Sequence, residues 1–598
     1  MEKIIVCILF CLSILASVTK VLTGFDIDEA YALAIPYRVL QGDRLFADMW
    51  EVHQTSFLLP YLFMKIFYGV VSEGTGVVLF VRIITTLIHG IVSFFVYLAV
   101  GALLRKGETG KGGTFPATLL GLGFYNFLPK WMISLDFSMQ QLWFFVLYLL
   151  CLLLVLGAGK NAEKKGFRCF WGLFLAGIFL SLDVLAYPGM AVLYPVSLLL
   201  LVWGKGAGKD KGLKAAGLTA GCAASAGIFF LCIFRYMSPK DLAEAVPKVF
   251  MDGSHQYDLA VKLSLYVSQW LEVIVQAVIL MAPALLLMLV LCLVWKKTVQ
   301  DKSSQKEKTM DRLPAGLLFC VLFELTVSAL IVLAGMFVTW GSFRLQVRYI
   351  VQFVMACFLF SLWKKEEENE KVRLCLWGLI LSGTAFAGIL AASNVGPSSS
   401  ASYLVVGNLL FMLFTLQLAK KRGRIMQVLG TAGAVLFVVS LIMCKGFYMR
   451  NTEYVPGDIT DPLQRIEEGP LAGIYVREED YVRYTADYAT IQANTTEKDQ
   501  VLFMGTESLC NLYANGRPVI PTTISTPAFN EQWVEYFTLY PDKCPTIIFL
   551  AKNTVDDRDK FFAKNPFGIW IAEHYNVEYM EETSSLCMIK PREESRGE

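Results

Sequence analysis

The residues most able to do chemistry are concentrated between Gly24 and Pro60, directly after the first apolar run of the chain, Ile4 to Leu22. This segment holds a dense set of acidic side chains and one histidine: Asp26, Asp28, Glu29, Asp43, Asp48, Glu51 and His53. Ionisable groups are costly beside lipid, so a cluster of carboxylates there needs a reason. The segment is either a hydrophilic loop between two helices or a site in which carboxylates act as general bases or as oxygen ligands.

Part of this acidic cluster fits a helix start. Asp26-x-x-Glu29 matches a capping box, in which Asp26 caps the helix and Glu29 reaches back to it. Asp28 in the first turn would suit the helix dipole. This interpretation gives Asp26 and Glu29 a specific local role, whereas a helix start has no such requirement for Asp28.

The composition is that of a multi-pass membrane protein. The chain has 598 residues, of which 55% are hydrophobic and 17% charged, with a mean hydropathy of +0.52. Apolar runs near the ~20 residues that a helix needs to cross a bilayer recur up to about Cys444. Met1 to Leu22 also resembles a signal peptide, but we interpret it as an uncleaved first span. We predict about thirteen spans: Ile4–Leu22, Val77–Leu104, Phe115–Leu128, Met139–Leu156, Phe170–Leu185, Ala191–Trp203, Ala215–Phe234, Ile274–Trp295, Leu317–Val338, Tyr349–Trp363, Leu374–Ala392, Tyr403–Ala419 and Met426–Cys444.

Basic loops predict the orientation of these spans. The segment Ser56–Val71 is short and contains Pro60 and Lys65, so we interpret it as a helix at the outer membrane surface. Every strongly basic short loop then falls on the same side as Lys3. Cytoplasmic loops carry the excess of Lys and Arg. The pattern therefore predicts that Gly24–Gly76 and the region after Cys444 both lie outside the cytoplasm.

Residues 446–598 have the composition of a soluble domain. Three predicted helices alternate there with three predicted strands. The helices are Tyr481–Gln492, Glu531–Tyr540 and Phe567–Tyr575, and the strands are Val501–Met504, Thr546–Leu550 and Leu586–Ile589. This alternation predicts a small α/β domain. We therefore divide the chain into a transmembrane domain, residues 1–445, with its first outer loop at 24–76, and an extracytoplasmic α/β domain, residues 446–598. No nucleotide-binding fingerprint follows Gly505, and no basic cluster interleaved with aromatic residues indicates a nucleic-acid partner.

The order of residues in the first outer loop resembles that of GT-C glycosyltransferases. An Asp-Glu pair is followed by Tyr-Ala, by Gly-Asp and by an Asp-x-Trp-Glu-x-His stretch that leads into an apolar helix. The similarity is nearest to the lipid A aminoarabinose transferases and their bacterial relatives, and more distant to the protein O-mannosyltransferases. Those enzymes use polyprenyl-phosphate sugars as donors. Where relatives have Lys-Pro-Pro or His-Pro-Pro, this chain has His53-Gln54-Thr55.

The resemblance implies a GT-C fold and a set of catalytic carboxylates. The Asp of the Asp-Glu pair lies at the catalytic centre in that class, which corresponds to Asp28, with Glu29 beside it. Relatives often carry a single Asp at the outer end of the next helix pair, which corresponds to Asp136 in the segment LPKWMISLDF. The neighbouring Lys130 and Trp131 are typical of residues that anchor a span at the lipid headgroups.

Arginines at an outer span end suggest a site for the donor phosphate. Arg344 and Arg348, followed by Tyr349, oppose the trend of positive charge towards the cytoplasm. They are either snorkelling side chains or a phosphate clamp, because a guanidinium matches phosphate bidentately. An Arg-Tyr at this position also resembles the family. Arg82 resembles an arginine common in relatives and is equally well explained as a structural ion pair.

These features predict transfer of a sugar from a polyprenyl-phosphate donor to a lipid-linked, polysaccharide or protein acceptor at the outer membrane face. Asp28 would take the acceptor proton, and a single displacement would invert the anomeric centre, as the resemblance implies. Glu51, His53 and His255 complete the predicted substrate-binding set, although His255 is equally well an ordinary loop histidine. A divalent metal held by the carboxylates of the site is left open.

Two alternatives come from other functional classes. A transporter or flippase for a lipid-linked glycan would place ionisable groups near the bilayer midplane within repeated halves. Here the acidic cluster is in an outer loop, no paired halves are evident, and charges near the middle of the apolar segments are sparse, at Asp183, Glu272 and Glu324. A non-catalytic scaffold for cell-wall assembly is the second alternative, and it predicts no dependence on Asp28.

Overall fold

The structure is a computed structural model of the whole chain, and helices dominate it as far as residue 447. It describes all residues except 106–113, 157–165, 204–210, 250–258, 301–314, 335–343, 366, 368, 393–395, 451–455, 506–507, 524–529, 553–556, 583–584 and 592–598. The helices of this part are α1 (Glu2–Leu22), α2 (Ile27–Leu40), α3 (Leu58–Tyr68), α4 (Val77–Arg105), α5 (Thr114–Asn126), α6 (Phe137–Leu156), α7 (Gly166–Ala186), α8 (Leu193–Trp203), α9 (Lys211–Ile233), α10 (Pro239–Val249), α11 (Leu259–Gln300), α12 (Ala315–Ala334), α13 (Arg344–Trp363), α14 (Asn369–Ala392), α15 (Pro397–Ser400), α16 (Val405–Lys420) and α17 (Arg424–Phe447).

The length of the helices confirms a multi-pass helical membrane protein. Within the described residues, eleven helices are long and apolar enough by themselves to cross a membrane, and each coincides with a predicted span. Two predicted spans fall short: Phe115–Leu128 folds as α5, with 13 residues, and Ala191–Trp203 as α8, with 11 residues. A 3-10 turn at Pro188–Val192 shortens the second. At 1.5 Å per residue, each of these helices alone is shorter than the ~30 Å of a bilayer core, although α5 leads to Lys130, which contacts Asp28 of α2.

The segment Ser56–Val71 is not a span, as the charge pattern predicts. It contains α3, with 11 residues, which is preceded by a 3-10 turn at Gln54–Ser56. The position of α3 at the outer membrane surface stays a prediction.

Close helix packing holds the membrane part together. The helix α7 packs against both α6 and α9, and α17 packs against α1 and α12. Gly217 and Gly221 of α9, four residues apart, lie against the backbone of α7 at Phe170 and Phe174, where a Cβ atom would clash. Small residues at this spacing let two helices approach closely in a membrane, where packing rather than apolar burial drives association.

The region after α17 is an α/β domain, as predicted. Its elements are β1 (Tyr448–Arg450), β2 (Pro456–Asp458), β3 (Leu463–Arg465), β4 (Tyr475–Arg477), α18 (Glu478–Asn494), β5 (Gln500–Met504), β6 (Arg517–Pro518), α19 (Asn530–Leu539), β7 (Ile547–Ala551), α20 (Arg558–Lys564), α21 (Pro566–His574), β8 (Tyr575–Glu582) and β9 (Leu586–Pro591). Five strands form one sheet in the order β6-β5-β7-β9-β8. The division of the chain at residue 445 remains a proposal; α17 ends two residues later, at Phe447.

The central strands of this sheet are apolar because both of their faces are covered. β5 and β7 pair in parallel, and all five residues of β7 are buried. Parallel strands covered on both faces typically form such continuous apolar runs. Trp533 of α19 and Phe567 of α21 are among the residues that pack against the sheet. The strands and helices predicted from alternation in this region are therefore confirmed as β5, β7, β9, α18, α19 and α21.

Candidate active site

The helix that carries Asp28 begins with a side-chain cap. Asp26 has extended backbone angles, and its Oδ1 accepts a hydrogen bond from the backbone N–H of Asp28 at 3.0 Å. An aspartate at this position satisfies an N–H group that has no partner within the helix. The cap uses the backbone N–H of Asp28, and the side chain of Asp28 lies in the first turn of α2.

Glu29 is engaged elsewhere than in a capping box. Both of its carboxylate oxygens accept hydrogen bonds from Arg82 of α4, at 2.7 and 2.6 Å. Arg82 also donates to the backbone oxygens of Val21 and Gly24, and the side chains of both Glu29 and Arg82 are about 4% exposed. A bidentate, buried pair of this kind fixes α2 against α4. Arg82 thus forms the structural ion pair that was one of its two interpretations. A substrate-binding role for Arg82 and a catalytic role for Glu29 stay predictions.

Asp43 and Asp48, further along the loop, attach it to the C-terminal domain. Asp43 pairs with Arg38 and Arg517, and Asp48 pairs with Arg44 and Lys543. Burial alone would raise the pKa of Asp48, but hydrogen bonds from Arg44 and Lys543 outweigh it and lower the pKa to about 2. The high density of acidic residues in this loop is thus largely explained by domain contacts.

Glu51 belongs to the same interface. Its carboxylate accepts a hydrogen bond from the backbone N–H of Thr523. The backbone N–H of the neighbouring Trp50 donates to the backbone oxygen of Pro521 at 2.8 Å. Burial raises the pKa of Glu51, although Arg38 and the Thr523 contact oppose this. Glu51 is 2% exposed. Its predicted part in substrate binding remains untested.

Asp28 differs from these acidic residues because it is partly exposed and faces a lysine. Its side chain is 19% exposed, and Oδ2 lies 3.0 Å from Nζ of Lys130, which is 27% exposed. The same Nζ lies 3.9 Å from Oδ2 of Asp136, whose side chain is only 4% exposed. An ammonium at these distances favours the charged form of a carboxylate. The structure therefore brings Asp28 and Asp136 together around the ammonium of Lys130, and the catalytic role of both carboxylates stays a prediction.

Aromatic residues surround this cluster. Nζ of Lys130 lies 4.1 Å from the ring centre of Phe137, and the ring of His53 stacks on Phe137 with 3.5 Å between ring centres. Tyr187 lies 5.7 Å from His53 and 6.0 Å from Phe137. His53 is thus placed beside the Asp28 cluster. Stacked rings next to an ion pair form a partly apolar site in which electrostatic interactions are stronger than in water.

Tyr31 links Asp28 to the interface with the C-terminal domain. It lies one helical turn after Asp28 on α2, and the backbone N–H of His53 donates to its hydroxyl at 3.4 Å. Burial, followed by the charge of Glu51, raises the pKa of Tyr31, so the hydroxyl stays protonated. Tyr31 is therefore a neutral hydrogen-bonding group beside the carboxylates of the site.

The backbone at Lys130 is held in an unusual conformation. Lys130 and Trp131 have φ values of 52° and 57°, in the left-handed region that residues other than glycine rarely adopt. Such conformations cost about 1–3 kcal/mol each and persist where the surrounding structure enforces them, often at functional sites. The turn directs the lysine towards Asp28.

Arg348 lies in a buried network within the membrane part. Its guanidinium pairs with Glu324 of α12 and donates to Ser440 of α17 at 2.9 Å, with the side chain 3% exposed. Gln352 donates to the other oxygen of Glu324 at 2.7 Å. The described partners of Arg348 are thus protein side chains, and its role as a phosphate ligand stays a prediction. Tyr349 beside it is buried, 5.5 Å from the ring of Phe127.

Two predicted site residues cannot be placed by their side chains. Arg344 is the first residue of α13, but its side chain lies outside the described part of the structure. His255 falls within residues 250–258, which are likewise outside it. Among the residues that are described, no group of three or more His, Cys, Asp and Glu side chains is arranged to hold a metal ion.

Lys130 is the residue of the site that sequence reasoning missed. A lysine in a predicted outer loop opposes the trend of positive charge towards the cytoplasm. The same signal distinguishes Arg344 and Arg348. The identity of its partners requires the fold, because 102 residues separate Asp28 from Lys130 along the chain.

The titration of Asp136 gives a testable consequence of this packing. Burial raises the pKa of Asp136 above its ordinary value of 3.8, against the opposing effect of Lys130. Since the folded pKa is the higher one, the stabilisation is complete below pH 3.8 and is lost as the pH rises through the folded value. Asp136→Asn keeps the capping acceptor for the N–H of Met139 but cannot ionise. We therefore compare the melting temperature of Asp136→Asn with that of wild type at each pH. The difference, variant minus wild type, should be more positive at pH 7 than at pH 4.

That difference is measured on purified protein in detergent at both pH values. Glu244→Gln, on an exposed side chain that pairs only at the surface with Lys240, serves as the matched control. A melting-temperature difference for Asp136→Asn that does not change between the two pH values would contradict a raised pKa of Asp136.

Comparison with known proteins gives similarities of structure. No family model matches the sequence, and the search of curated proteins returns no relative. Among solved structures, the chain is similar to the Archaeoglobus fulgidus oligosaccharyltransferase tethered to an acceptor peptide, with 12% identity, a TM-score of 0.45, and 98% of this chain and 74% of that chain covered. The archaeal oligosaccharyltransferase AglB from the same organism, in complex with an inhibitory peptide and a dolichol-phosphate, gives 11% identity and a TM-score of 0.45 over 98% and 76% of the two chains.

A bacterial structure is similar to the same degree. ArnT from Cupriavidus metallidurans, bound to undecaprenyl phosphate, has 11% identity and a TM-score of 0.45, with 98% of this chain and 97% of that chain covered. At these values the similarity is one of overall layout, so we argue function from the residues of the site.

Proposed function

We propose that this protein is a glycosyltransferase of the GT-C class that moves a sugar from a polyprenyl-phosphate donor to an acceptor hydroxyl. The observation that carries the proposal is the partly exposed pair of Asp28 and Lys130, 3.0 Å apart, at the capped start of α2. The other carboxylates between Gly24 and Pro60 are buried, at 1% to 5% exposure: Asp26, Glu29, Asp43, Asp48 and Glu51. Only Asp28 among them combines exposure with a cation at hydrogen-bond distance.

The pair supplies the two functions that the reaction needs. Asp28 accepts the proton of the acceptor hydroxyl as its oxygen attacks the anomeric carbon. The bond from that carbon to the phosphate oxygen breaks, and its electrons pass to the phosphate, which leaves as polyprenyl phosphate. Lys130 stabilises the charge that gathers on this oxygen. A single displacement of this kind inverts the anomeric centre.

The surroundings of the pair support this assignment. Lys130 is a strongly hydrated point charge on a flexible stem, so it can exchange contacts between Asp28 and a phosphate. Asp136, buried behind it, adds a second acceptor that helps to hold the ammonium in place. His53, Phe137 and Tyr187 provide ring faces and edges beside the pair, suited to the partly apolar face of a sugar ring.

Transfer by the purified protein tests the proposal directly. The protein in nanodiscs is incubated with short-chain polyprenyl phosphates that carry a hexose, a hexosamine or a pentose, together with a membrane glycolipid extract. Mass spectrometry should detect release of polyprenyl phosphate and a glycolipid heavier by one sugar. Sugar-dependent movement of the intact donor between leaflets, without release of polyprenyl phosphate from any donor, would instead identify a flippase.

The proposal places the site on the extracytoplasmic face, together with the C-terminal domain. Gln41, at the end of α2, and Arg558, at the start of α20, are both exposed. We expect cysteines introduced there, in a background without native cysteines, to react with a membrane-impermeant maleimide in intact cells. Arg424→Cys, at the start of α17, should react only after the cells are opened. Reaction of Arg424→Cys alone in intact cells would reverse the orientation.

A further inference from the structure

A cavity in the C-terminal domain has a lining suited to a sugar. It has a volume of about 480 Å³ and lies between α18 and the segment 466–471. Three of its tyrosines, Tyr481, Tyr484 and Tyr488, come from one face of α18, since residues three and four apart lie on the same face of a helix. Tyr513 adds a fourth ring, at 5.3 Å from that of Tyr488. The cavity is therefore walled by rings that each carry a hydroxyl.

The polar groups of this cavity select against anions. Glu467 and Glu468 are exposed at its edge, and Thr485 and Gln492 line it along α18. Arg465 pairs with Glu467 at 3.3 Å and so compensates one of the two charges. Carboxylates accept hydrogen bonds from hydroxyl groups and repel phosphates and other carboxylates. Aromatic faces, in turn, pack against the C–H faces of a sugar ring.

The wall opposite α18 is fixed by backbone contacts. Gly469 has a φ of 72°, and a Cβ atom there would lie 2.9 Å from the ring of Tyr488, so only glycine lets the segment pass this ring. The carbonyl groups of Gly469 and Pro470 accept hydrogen bonds from Gly76 and Val78, at 3.0 and 3.2 Å. These contacts join the cavity to the start of α4, which carries Arg82.

The cavity is also joined to the helix of the candidate active site. The ring of Tyr484 packs edge-on against Phe25, with 5.9 Å between ring centres, and Phe25 precedes the cap of α2. Through Arg82 and Phe25, both α4 and α2 connect the cavity to the segment that carries Asp28. A ligand held in the cavity is thus in a fixed relation to the candidate active site.

We propose that this cavity binds a neutral saccharide unit, through the rings of Tyr481 and Tyr488 and the carboxylates at its edge. Its assignment to the glycan of the acceptor rests on the proposed function, whereas saccharide binding itself does not. The acceptor would then be a neutral, already glycosylated molecule, whose chain lies between the cavity and Asp28. An acceptor carrying phosphate or uronic acid groups at this point would be disfavoured by Glu468, whose charge Arg465 does not compensate.

Ligand-observed saturation-transfer NMR on the full chain in nanodiscs tests the proposal. The probes are maltotriose, chitotriose and mannotriose, with trigalacturonate as the anionic counterpart and a tripeptide of serine as a neutral peptide. We expect at least one neutral trisaccharide to give a signal that falls at least fivefold in Tyr488→Ala. Thr485→Phe, which narrows the cavity beside Tyr481 and Tyr488 without removing a ring, should have the same effect. Tyr475→Ala, on an exposed tyrosine of β4 outside the cavity, should retain the signal.

The outcomes separate this inference from the proposed function. Asp28→Asn should bind the trisaccharide as wild type does, even where it transfers no sugar. Absence of signal from every neutral trisaccharide would overturn the inference, as would a signal that persists in both Tyr488→Ala and Thr485→Phe. Equal or stronger signal from trigalacturonate or the peptide would likewise overturn it. None of these results depends on transfer activity.

Discussion

Asp28→Asn is expected to lower the rate of sugar transfer by about 100-fold or more, the range that a positioned general base contributes. Asparagine preserves the size of the side chain and can still accept a hydrogen bond from Lys130, but it cannot take the proton of the acceptor hydroxyl. Folding and donor binding should therefore change little. The measurement is transfer from a polyprenyl-phosphate sugar by purified protein, with melting temperatures recorded on the same samples.

Asp26→Asn is the matched control for this variant. It removes a carboxylate two residues away, yet an asparagine can still cap α2 and accept from the N–H of residue 28. Its transfer rate should stay within a few-fold of wild type. Wild-type transfer by a folded Asp28→Asn protein would show that Asp28 is not the base, and Asp136, the other carboxylate near Lys130, would then be the next residue to test.

Asp28 is predicted as the base because the resemblance to GT-C glycosyltransferases assigns the catalytic Asp to it. The local pattern adds that a cap needs Asp26 but has no such requirement for Asp28. The same local reasoning was wrong for Glu29, which pairs with Arg82 instead of reaching back to Asp26. These two residues are 53 positions apart, and no helix periodicity relates them. Local patterns therefore predict caps, whereas ion pairs between helices depend on the packing of the fold.

The carboxylates of the first outer loop also have partners that local sequence patterns cannot predict, because these partners are far away in the sequence. Asp43 and Asp48 pair with Arg517 and Lys543, more than 470 positions further along the chain. Nothing in the loop itself indicates that a second domain covers it. The high acidic density looked like a single functional cluster for this reason, although most of its members are buried at the contact with the C-terminal domain.

The number of helices could be predicted from the apolar runs, but the length of each helix could not. Apolar residues continue on both sides of Pro188 and past Asn126, so hydropathy alone extends α5 and α8 beyond their ends in the structure. The 3-10 turns at Pro188–Val192 and Pro129–Trp131 end or delay these helices, and turns of this kind barely change local hydropathy. The second turn also places Lys130 in the candidate site.

Lys130→Met is expected to lower the rate of sugar transfer by about 100- to 1000-fold. Removing one preorganised hydrogen-bond donor to an oxyanion in an enzyme typically has an effect of this size. Methionine keeps the length of the stem but cannot stabilise charge on the departing phosphate. Asp28 and Asp136 would also lose the ammonium that lies between them. Lys130→Arg retains a cation and should keep more activity than Lys130→Met. The measurement separates kcat from KM for the polyprenyl-phosphate sugar, and a fall mainly in kcat is expected for a group that acts on the leaving phosphate.

Two further variants distinguish charge stabilisation from structural support by Lys130. Lys65→Met removes an exposed lysine from α3 in the same outer segment and should transfer sugar at the wild-type rate. Lys130→Gly accepts the φ of 52° without strain, so the turn should be retained while the cation is lost. If charge at the phosphate is what matters, Lys130→Gly will be as inactive as Lys130→Met while melting at a higher temperature than Lys130→Met. An active Lys130→Gly protein would show that Lys130 only pairs with the carboxylates, and Asp28 would then act without it.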